Sequence, residues 1–266
     1  MKLLSGEILA NKKYGSSLYK LEVFSPYICR NAIPGQFVEV KCSTEDATDP
    51  LLRRPFGIYE IDKRFNVFSL LYIVRGKGTS FLSRMEKGQN LDFIGPLGNG
   101  LKFDLDDGKK YILIGGGIGI APLCLAATHL AEKEKEILFI AGFKDNVFFS
   151  WEKDIAKITQ NYRIFTEDGS FGEKGLPTSY LAANIKKLNN SIIIACGPSD
   201  MLRVIQEILV NAHGFTALSL LEERMACGIG ACMGCVIKIK EADGTVAYTK
   251  VCSDGPVFNL MEVIFE

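Results

Sequence analysis

The sequence predicts a multi-domain fold: an N-terminal antiparallel β-barrel, then an α/β domain with a parallel sheet, then a small cysteine-rich domain. Residues 1–102 alternate apolar and polar side chains in short stretches between Pro and Gly turns, which is typical of a small barrel. In residues 103–215, buried strands alternate with helical stretches, as in a parallel sheet covered by helices. Residues 216–266 hold four of the eight cysteines. A chain of 266 residues is long enough for these three parts.

The barrel segment contains clear alternating strands and one helical stretch. The strands are Ser17–Phe24, Gln36–Val40 and Phe65–Val74, and the helical stretch is Ser80–Met85. No other part of this segment shows a strong helical period. A small antiparallel barrel is therefore the expected architecture.

The α/β segment alternates four strands with four helices, and a hairpin follows it. The predicted strands are Tyr111–Ile114, Glu136–Gly142, Tyr162–Phe165 and Ser191–Cys196. The predicted helices are the stretch after Pro122 to about Glu134, Trp151–Thr159, Leu176–Ile185 and Ser199–Ala212. The hairpin joins Cys235–Lys240 to Thr245–Val251 through a turn at Ala242–Gly244.

Charge and composition argue against several classes of function. Lys plus Arg and Asp plus Glu are equal at 31 each, so no overall field favours nucleic acid or anionic lipid. No apolar run approaches the ~20 residues of a membrane-spanning helix. Eight cysteines without a visible secretory signal predict a reducing compartment, the cytoplasm. Four of them are expected to be small buried hydrophobic residues: Cys29, Cys42, Cys124 and Cys196.

The other four cysteines are the candidate metal ligands: Cys227, Cys232, Cys235 and Cys252. Their spacing, C-x4-C-x2-C and a fourth Cys after 16 further residues, matches the plant-type pattern of a [2Fe–2S] cluster. The glycines between them would let backbone N–H groups turn toward the cluster sulfurs. Structural zinc is the alternative, although zinc would favour a second C-x2-C pair. Such a cluster carries single electrons, so the rest of the chain should supply or accept them.

Two turns of the α/β segment are candidate nucleotide-binding elements. Gly115–Pro122 lies between a strand and a helix, where glycines admit a pyrophosphate and the helix N-terminus attracts it. This turn is not G-x-G-x-x-G, and close packing alone is its other explanation. Cys196–Leu202 begins at the carboxyl end of a later strand, where open α/β sheets bind ligands. An ordinary strand-to-helix connection with Ser199 as N-cap is the alternative there.

Two motifs of the barrel segment are candidate anion-binding elements. Arg53–Phe56 places guanidinium groups near an aromatic ring, just before a strand. Gly76–Ser80 opens a short helix whose N-terminus could bind an anion. A solvated basic loop is the simpler interpretation of the first motif.

Taken together, the motifs resemble the ferredoxin–NADP reductase superfamily, in which the barrel holds a flavin and the α/β domain holds the nicotinamide nucleotide. The motifs follow in the order R-R-P-F, G-K-G-T, G-G-G-I-G-I-A-P and C-G-P-S-D-M-L. The segments Ser219–Cys235 and Val251–Phe258 narrow the resemblance to the electron-transfer subunits of two-subunit, NAD-dependent dihydroorotate dehydrogenases. The likeness covers essentially the whole chain, and the cysteine segment is its most specific part.

The resemblance implies which residues bind each cofactor. For FAD it implies Arg53, Arg54, Pro55, Phe56, Leu70, Leu71, Tyr72, Gly78 and Thr79. For NAD it implies Gly115, Gly116, Gly117, Gly119, Pro122, Cys196, Gly197 and Pro198. The four cysteines of residues 216–266 fall on the family's cluster ligands.

This chain departs from the superfamily pattern at two positions. Gly57 stands where relatives usually have Ser or Thr, so a hydroxyl hydrogen bond near flavin N5 is expected to be missing. Ile73 stands where many relatives have Arg, and Arg75 or Arg53 could reach the pyrophosphate instead.

The resemblance further implies an oxidoreductase subunit without catalytic side chains of its own. No Ser/His/Asp, Cys/His or HExxH constellation is apparent, so the cofactors would perform the chemistry. A separate FMN-containing catalytic subunit would oxidise dihydroorotate to orotate in pyrimidine biosynthesis. Electrons would then pass through the [2Fe–2S] cluster and FAD to NAD+. A heterotetramer with two copies of each subunit is expected, with no nucleic acid and no membrane as partners.

Three alternatives remain open from the sequence. The chain could serve another complex, such as a hydrogenase- or ferredoxin-linked reductase. It could be a redox-inactive module with structural zinc. It could also use NADP, because Lys144 follows the second α/β strand and could touch a 2′-phosphate. The docking face for a partner is expected around Ile229, Met233, Val257 and Phe258.

Overall fold

Six antiparallel strands of the N-terminal segment close into a barrel. They are β1 (Lys2–Lys13), β2 (Leu18–Phe24), β3 (Phe37–Val40), β4 (Arg54–Asp62), β5 (Val67–Ile73) and β6 (Asn90–Leu97). Their order around the barrel is β1-β2-β5-β4-β3-β6, and β6 closes on β1. The computed structural model describes residues 1–44, 46–103, 109–146 and 150–265. The predicted barrel is confirmed.

Two short helices accompany the barrel: α1 (Pro26–Asn31) and α2 (Lys77–Leu82). Helix α2 begins three residues before the predicted stretch Ser80–Met85. The reason is a local cap, because the Thr79 hydroxyl accepts hydrogen bonds from the backbone N–H groups of Arg75 and Gly76. The helix therefore starts directly after Gly76.

The rest of the chain forms two further sheets and the remaining helices. The strands are β7 (Lys110–Gly116), β8 (Ile137–Phe143), β9 (Tyr162–Thr166), β10 (Glu173–Lys174), β11 (Ser191–Cys196), β12 (Phe215–Leu220), β13 (Val236–Lys240), β14 (Val246–Lys250), β15 (Val257–Asn259) and β16 (Val263–Ile264). The α-helices are α3 (Ile120–Glu132), α4 (Ser150–Ile158), α5 (Pro177–Asn184) and α6 (Ser199–Val210). Among the described residues, 3₁₀ turns span Gly117–Gly119 and Ile185–Lys187. The predicted alternation of strands and helices is confirmed, with ends that differ by one or two residues.

The larger sheet has seven strands in the order β10-β9-β8-β7-β11-β12-β15. Neighbours from β10 to β12 are parallel, and only β15 runs antiparallel. Strand β7 is first in sequence, and the chain builds β8 and β9 on one side of it and β11 on the other. The switch point therefore lies between β7 and β11, where open α/β sheets bind their ligands.

The cysteine-rich segment is inserted between two strands of this larger sheet. Strand β12 pairs with β11, and β15 returns to pair with β12. Between them, β13 pairs with β14 and β16 in a sheet of three strands. Strands β12 and β15 therefore join the α/β sheet although they fall almost entirely within residues 216–266. The division at residues 102 and 215 stays a prediction.

The barrel packs on the α/β domain through a buried polar contact. Tyr59 of β4 is fully buried, and its hydroxyl donates a hydrogen bond of 2.9 Å to Oδ2 of Asp154 on α4. Lys157 Nζ pairs with the other carboxylate oxygen of Asp154 at 2.9 Å. No helix in the described ranges is both long and apolar enough to cross a membrane.

Candidate functional site

A cavity of about 480 Å³ lies where the barrel, the α/β sheet and the cysteine-rich segment meet. Residues from all three parts line it, among them Pro55, Phe56, Gly57, Leu71, Tyr72, Ile73, Arg75, Pro122, Cys196, Leu220, Glu222, Glu223, Arg224, Met225 and Pro256. This volume lies within the roughly 300–1,000 Å³ of small-molecule and cofactor sites. A group bound here would touch every domain of the chain.

Two aromatic rings shape the barrel wall of the cavity. The ring of Phe56 meets the ring of Tyr72 edge to face, with centroids 5.9 Å apart. Tyr72 also stacks on Tyr19 at 5.6 Å, and its hydroxyl donates a hydrogen bond of 3.0 Å to Oδ1 of Asn11. Burial raises the pKa of Tyr72. The phenol is therefore neutral and fixed in place, and the wall is formed before any ligand binds.

The two departures from the superfamily pattern have local explanations. A Cβ atom on Gly57 would lie 3.2 Å from Cβ of Pro122, so glycine allows the start of α3 to approach the barrel. Ile73 contributes an apolar wall to the cavity, and Arg75 lines it too. Arg53 is held elsewhere, since its Nη2 pairs with Oδ1 of Asp92 at 2.9 Å. Of the two arginines, Arg75 therefore lines the cavity and Arg53 does not.

The start of α2 gathers a second group of predicted residues. A Cβ atom on Gly78 would lie 3.4 Å from Cγ of Arg54, so the Arg54 side chain runs beside this turn. Arg54 Nη1 donates hydrogen bonds to the carbonyls of Leu52 and Arg53, at 2.7 and 3.1 Å. A fixed guanidinium beside a glycine turn is suited to phosphate oxygens. Leu70 is fully buried in the barrel core. Like Arg54, Gly78 and Thr79, it is not among the residues that line the cavity.

The two predicted nucleotide turns pack against each other at the switch point. Gly115 and Cys196 are register partners in β7 and β11. A Cβ atom on Gly119 would lie 2.6 Å from the carbonyl oxygen of Cys196 and 2.8 Å from Cα of Gly197. Only glycine fits such an approach.

The neighbouring glycines of the turn divide into a packed and an open position. A Cβ atom on Gly116 would lie 3.0 Å from Cδ of Pro198. A Cβ atom on Gly117, whose φ is +56°, would have no other atom within 4 Å. The space beside this residue leaves its backbone accessible to a ligand. The structure therefore brings all the predicted residues of both turns to one edge of the sheet.

The four candidate cluster cysteines form two pairs. In the first, the backbone N–H of Cys232 donates to Sγ of Cys227 at 3.4 Å. In the second, the N–H of Cys252 donates to Sγ of Cys235 at 3.5 Å. Loop glycines add to these contacts, since the N–H of Gly230 lies 3.1 Å from Sγ of Cys252. Hydrogen bonds of this kind orient metal ligands and tune the bound group.

Two of the four thiols, Cys227 and Cys252, differ in their pKa. Burial would raise the pKa of the Cys227 thiol, but N–H donors at Ile229, Cys232 and Ala231 outweigh it and hold the pKa at about 6. Burial, with the adjacent Cys235 thiol, raises the pKa of Cys252 to about 12. All four cysteines are free of disulfides. A thiol of low pKa is already a thiolate near neutral pH, the form that binds iron.

The paired arrangement fits a two-iron cluster, in which each iron takes two thiolates. The spacing and the pairing thus favour the [2Fe–2S] interpretation.

Two features of this region were not predicted from the sequence. Glu222–Met225 line the cavity directly before the first cluster cysteine, so the segment connects cavity and cluster. Glu39 of β3 is fully buried and lies against Gly228 in the cluster loop. Its side chain shares the alternating parity of Phe37, which packs with the core of the α/β sheet and the cysteine-rich segment, whereas Val38 and Val40 pack in the barrel core.

This fold and site define a class: electron-transfer flavoproteins of the ferredoxin–NADP reductase type that carry an added iron–sulfur domain. Residues 222–264 match the model of the "Iron-sulfur cluster binding domain of dihydroorotate dehydrogenase B". The chain is 38% identical to the dihydroorotate dehydrogenase B (NAD(+)) electron transfer subunit of Caldanaerobacter subterraneus, covering 98% of each chain. It is 36% identical to the subunit of the same name from Geobacillus sp., covering 97% of this chain and 96% of the relative. The chain belongs to this family of electron transfer subunits.

Solved structures agree with this assignment. A structure of NADH-dependent reduced ferredoxin–NADP oxidoreductase is similar with a TM-score of 0.85 and 26% identity, covering 97% of this chain and 89% of that one. Phthalate dioxygenase reductase shares the fold alone, with a TM-score of 0.64 and 17% identity over 93% of this chain and 76% of the other.

Proposed function

We propose that this chain carries electrons from an FMN-containing catalytic subunit, which oxidises dihydroorotate to orotate, to NAD+. The observation that carries the proposal is the cavity between the three parts of the chain. Its wall includes Pro122 and Cys196 of the nucleotide edge, and Met225 and Pro256 of the cluster segment. A flavin in this cavity would lie between the nucleotide edge and the cluster segment. It could then exchange electron pairs with the nucleotide and single electrons with the cluster. FAD supplies that conversion when bound, and the cluster supplies single-electron transfer.

The side chains of the barrel would bind and orient the flavin. Phe56 and Tyr72 offer a fixed aromatic wall for a planar ring system, and Leu71 adds apolar surface. Arg54 and the turn Gly78–Thr79 form a donor-rich region for the pyrophosphate. Arg53 is assigned here to the Asp92 ion pair instead, as a residue that holds the loop before β4.

The nucleotide turns would place NAD beside the flavin. The partly exposed backbone of Gly117 and the N-terminus of α3 would provide N–H groups for a pyrophosphate at the switch point. Pro122 follows in the same helix and also lines the cavity. A pyrophosphate bound at this turn therefore brings a nicotinamide to the cavity wall.

The partner is proposed to dock on the cluster loop. Ile229 and Met233 flank the cluster cysteines and are 45% and 67% exposed. Apolar side chains exposed at this level beside a redox centre suit a protein interface. Phe258, in contrast, packs against the core of the α/β sheet. A heterotetramer of two chains of each kind, in the cytoplasm, is the proposed assembly.

Co-purification with the candidate catalytic subunit tests the proposal. We expect the chain alone to contain iron, sulfide and FAD and to reduce a dye with NADH, without forming orotate. The complex should reduce NAD+ with dihydroorotate. Met233→Ala should weaken assembly, and the matched Met201→Ala, on α6 beside Gly116, should not. A colourless zinc protein, or orotate formation by the chain alone, would contradict the proposal.

A second candidate function is a subunit of a ferredoxin-linked reductase. The observation that favours it is the similarity to the NADH-dependent reduced ferredoxin–NADP oxidoreductase over nearly the whole chain. Reduced ferredoxin offered to the purified chain distinguishes the two functions. Reoxidation of ferredoxin at the rate of the dye reaction would favour this second candidate.

A further inference from the structure

Glu39 is a buried carboxyl group without a hydrogen-bond partner in the described part of the chain. It lies on β3, where all four residues are buried, and its exposure is 0%. Neither carboxyl oxygen has a hydrogen-bond partner among the described residues. Burying such a group is costly, so its place in the barrel wall calls for a physical role.

The side chain of Glu39 is aimed at the cluster loop. A Cβ atom on Gly228 would lie 2.4 Å from Cγ of Glu39 and 2.8 Å from its Oε1. Gly228 has φ of +67° and follows Cys227 directly. The carboxyl group therefore touches the backbone next to a proposed iron ligand, from a different domain.

The nearest cation does not neutralise this carboxyl group by an ion pair. Arg53 places its Nη2 on Asp92 at 2.9 Å and reaches Glu39 only through the backbone carbonyl, at 3.5 Å from Nη1. Arg53 and Arg54 favour the ionised form at longer range, whereas burial and the Cys227 thiolate oppose it. An ionised Glu39 would thus have no paired countercharge among the described residues.

We propose that Glu39 sets the reduction potential of the cluster by holding a carboxylate against the Cys227–Gly228 backbone. The proposal rests on the [2Fe–2S] cluster of the proposed function. Reduction adds one negative charge to the cluster, and a nearby carboxylate opposes that addition. Net charge around the sulfurs is one of the terms that set such potentials. Glu39 therefore lowers the reduction potential of the cluster and favours transfer of the electron from the cluster to the flavin. Because Glu39 lies on β3, a residue of the barrel tunes a cluster held by another part of the chain.

Redox titration of the full chain, followed by EPR of the reduced cluster, tests the proposal. It is performed at alkaline pH, which favours the ionised form of the Glu39 carboxyl group. Glu39→Gln should raise the potential by at least about 59 mV, a tenfold change in the one-electron equilibrium. Glu39→Asp should restore a potential close to that of the wild type. Glu7→Gln removes an exposed carboxylate from β1 and is the matched control.

Several outcomes would overturn the role of Glu39. One is a potential of Glu39→Gln equal to that of the control. Glu39→Met, of similar length and without charge, decides the matter if the Gln variant loses its iron. Loss of iron in both variants but not in Glu39→Asp would assign Glu39 a structural role only. A wild-type chain without iron and sulfide would instead refute the proposed function, so the two failures are distinguishable.

Discussion

Removal of one hydroxyl group, in Tyr59→Phe, tests how the flavin barrel is held against the nucleotide domain. The Tyr59 hydroxyl is fully buried and donates a 2.9 Å hydrogen bond to Asp154, whose carboxylate also pairs with Lys157. A hydrogen bond to a charged group contributes about 1.5–3 kcal/mol, and its loss leaves one oxygen of Asp154 without this donor. At about 2 °C per kcal/mol for a chain of this size, the midpoint of thermal unfolding should fall by about 3–6 °C.

The assay is thermal unfolding of the FAD-loaded chain, followed by flavin fluorescence and by circular dichroism. Tyr248→Phe is the matched control, since Tyr248 is 65% exposed on β14 and its hydroxyl group faces water. The control should unfold within about 1 °C of the wild type, as surface changes usually alter stability by less than about 0.5 kcal/mol. Equal midpoints for the two variants would refute the reasoning, because the buried contact would then contribute nothing to the domain packing.

Three further predictions concern the bound groups. Cys252→Ser should abolish the cluster while FAD is retained, measured as iron content against flavin absorbance; unchanged iron would contradict the ligand assignment. Gly119→Ala places a Cβ 2.6 Å from the Cys196 carbonyl oxygen, and overpacking of about 1–3 kcal/mol should raise KM for NADH about tenfold. An unchanged KM would remove the turn from the nucleotide site. Arg54→Ala should weaken FAD retention about tenfold, measured by equilibrium dialysis, because a charge-assisted contact is lost. Arg53→Ala, which breaks the Asp92 pair, should retain FAD, and equal losses would contradict the separate roles.

The sequence was most informative where a motif constrains the backbone locally. Strand β7 and the glycine turn after it could be predicted because a short apolar run, glycines and a helical period follow one another. The cysteine spacing could be read for the same reason. Strand β1 was not predicted, since its residues alternate weakly and one of its two partners, β6, is distant in sequence.

Sites formed by distant segments were harder to predict. The cavity depends on Met225 reaching the same wall as Phe56, which no local pattern encodes. Arg53 and Arg54 are adjacent and chemically alike, so the sequence assigned both to the flavin. The fold places Asp92 of β6 beside the first and the α2 turn beside the second, and this difference supports the separate roles proposed for them.

The insertion of the cysteine-rich segment between β12 and β15 has a consequence for electron transfer. Both ends of the segment are hydrogen-bonded into one sheet, through Leu220 with Val257 and Leu218 with Asn259. A module attached by a single linker can swing, and its transfer rate then depends on how often it visits the flavin. Here two anchored ends fix the separation between the redox groups. The rate of electron transfer between the cluster and the flavin should therefore be insensitive to solvent viscosity, because no domain movement precedes the transfer.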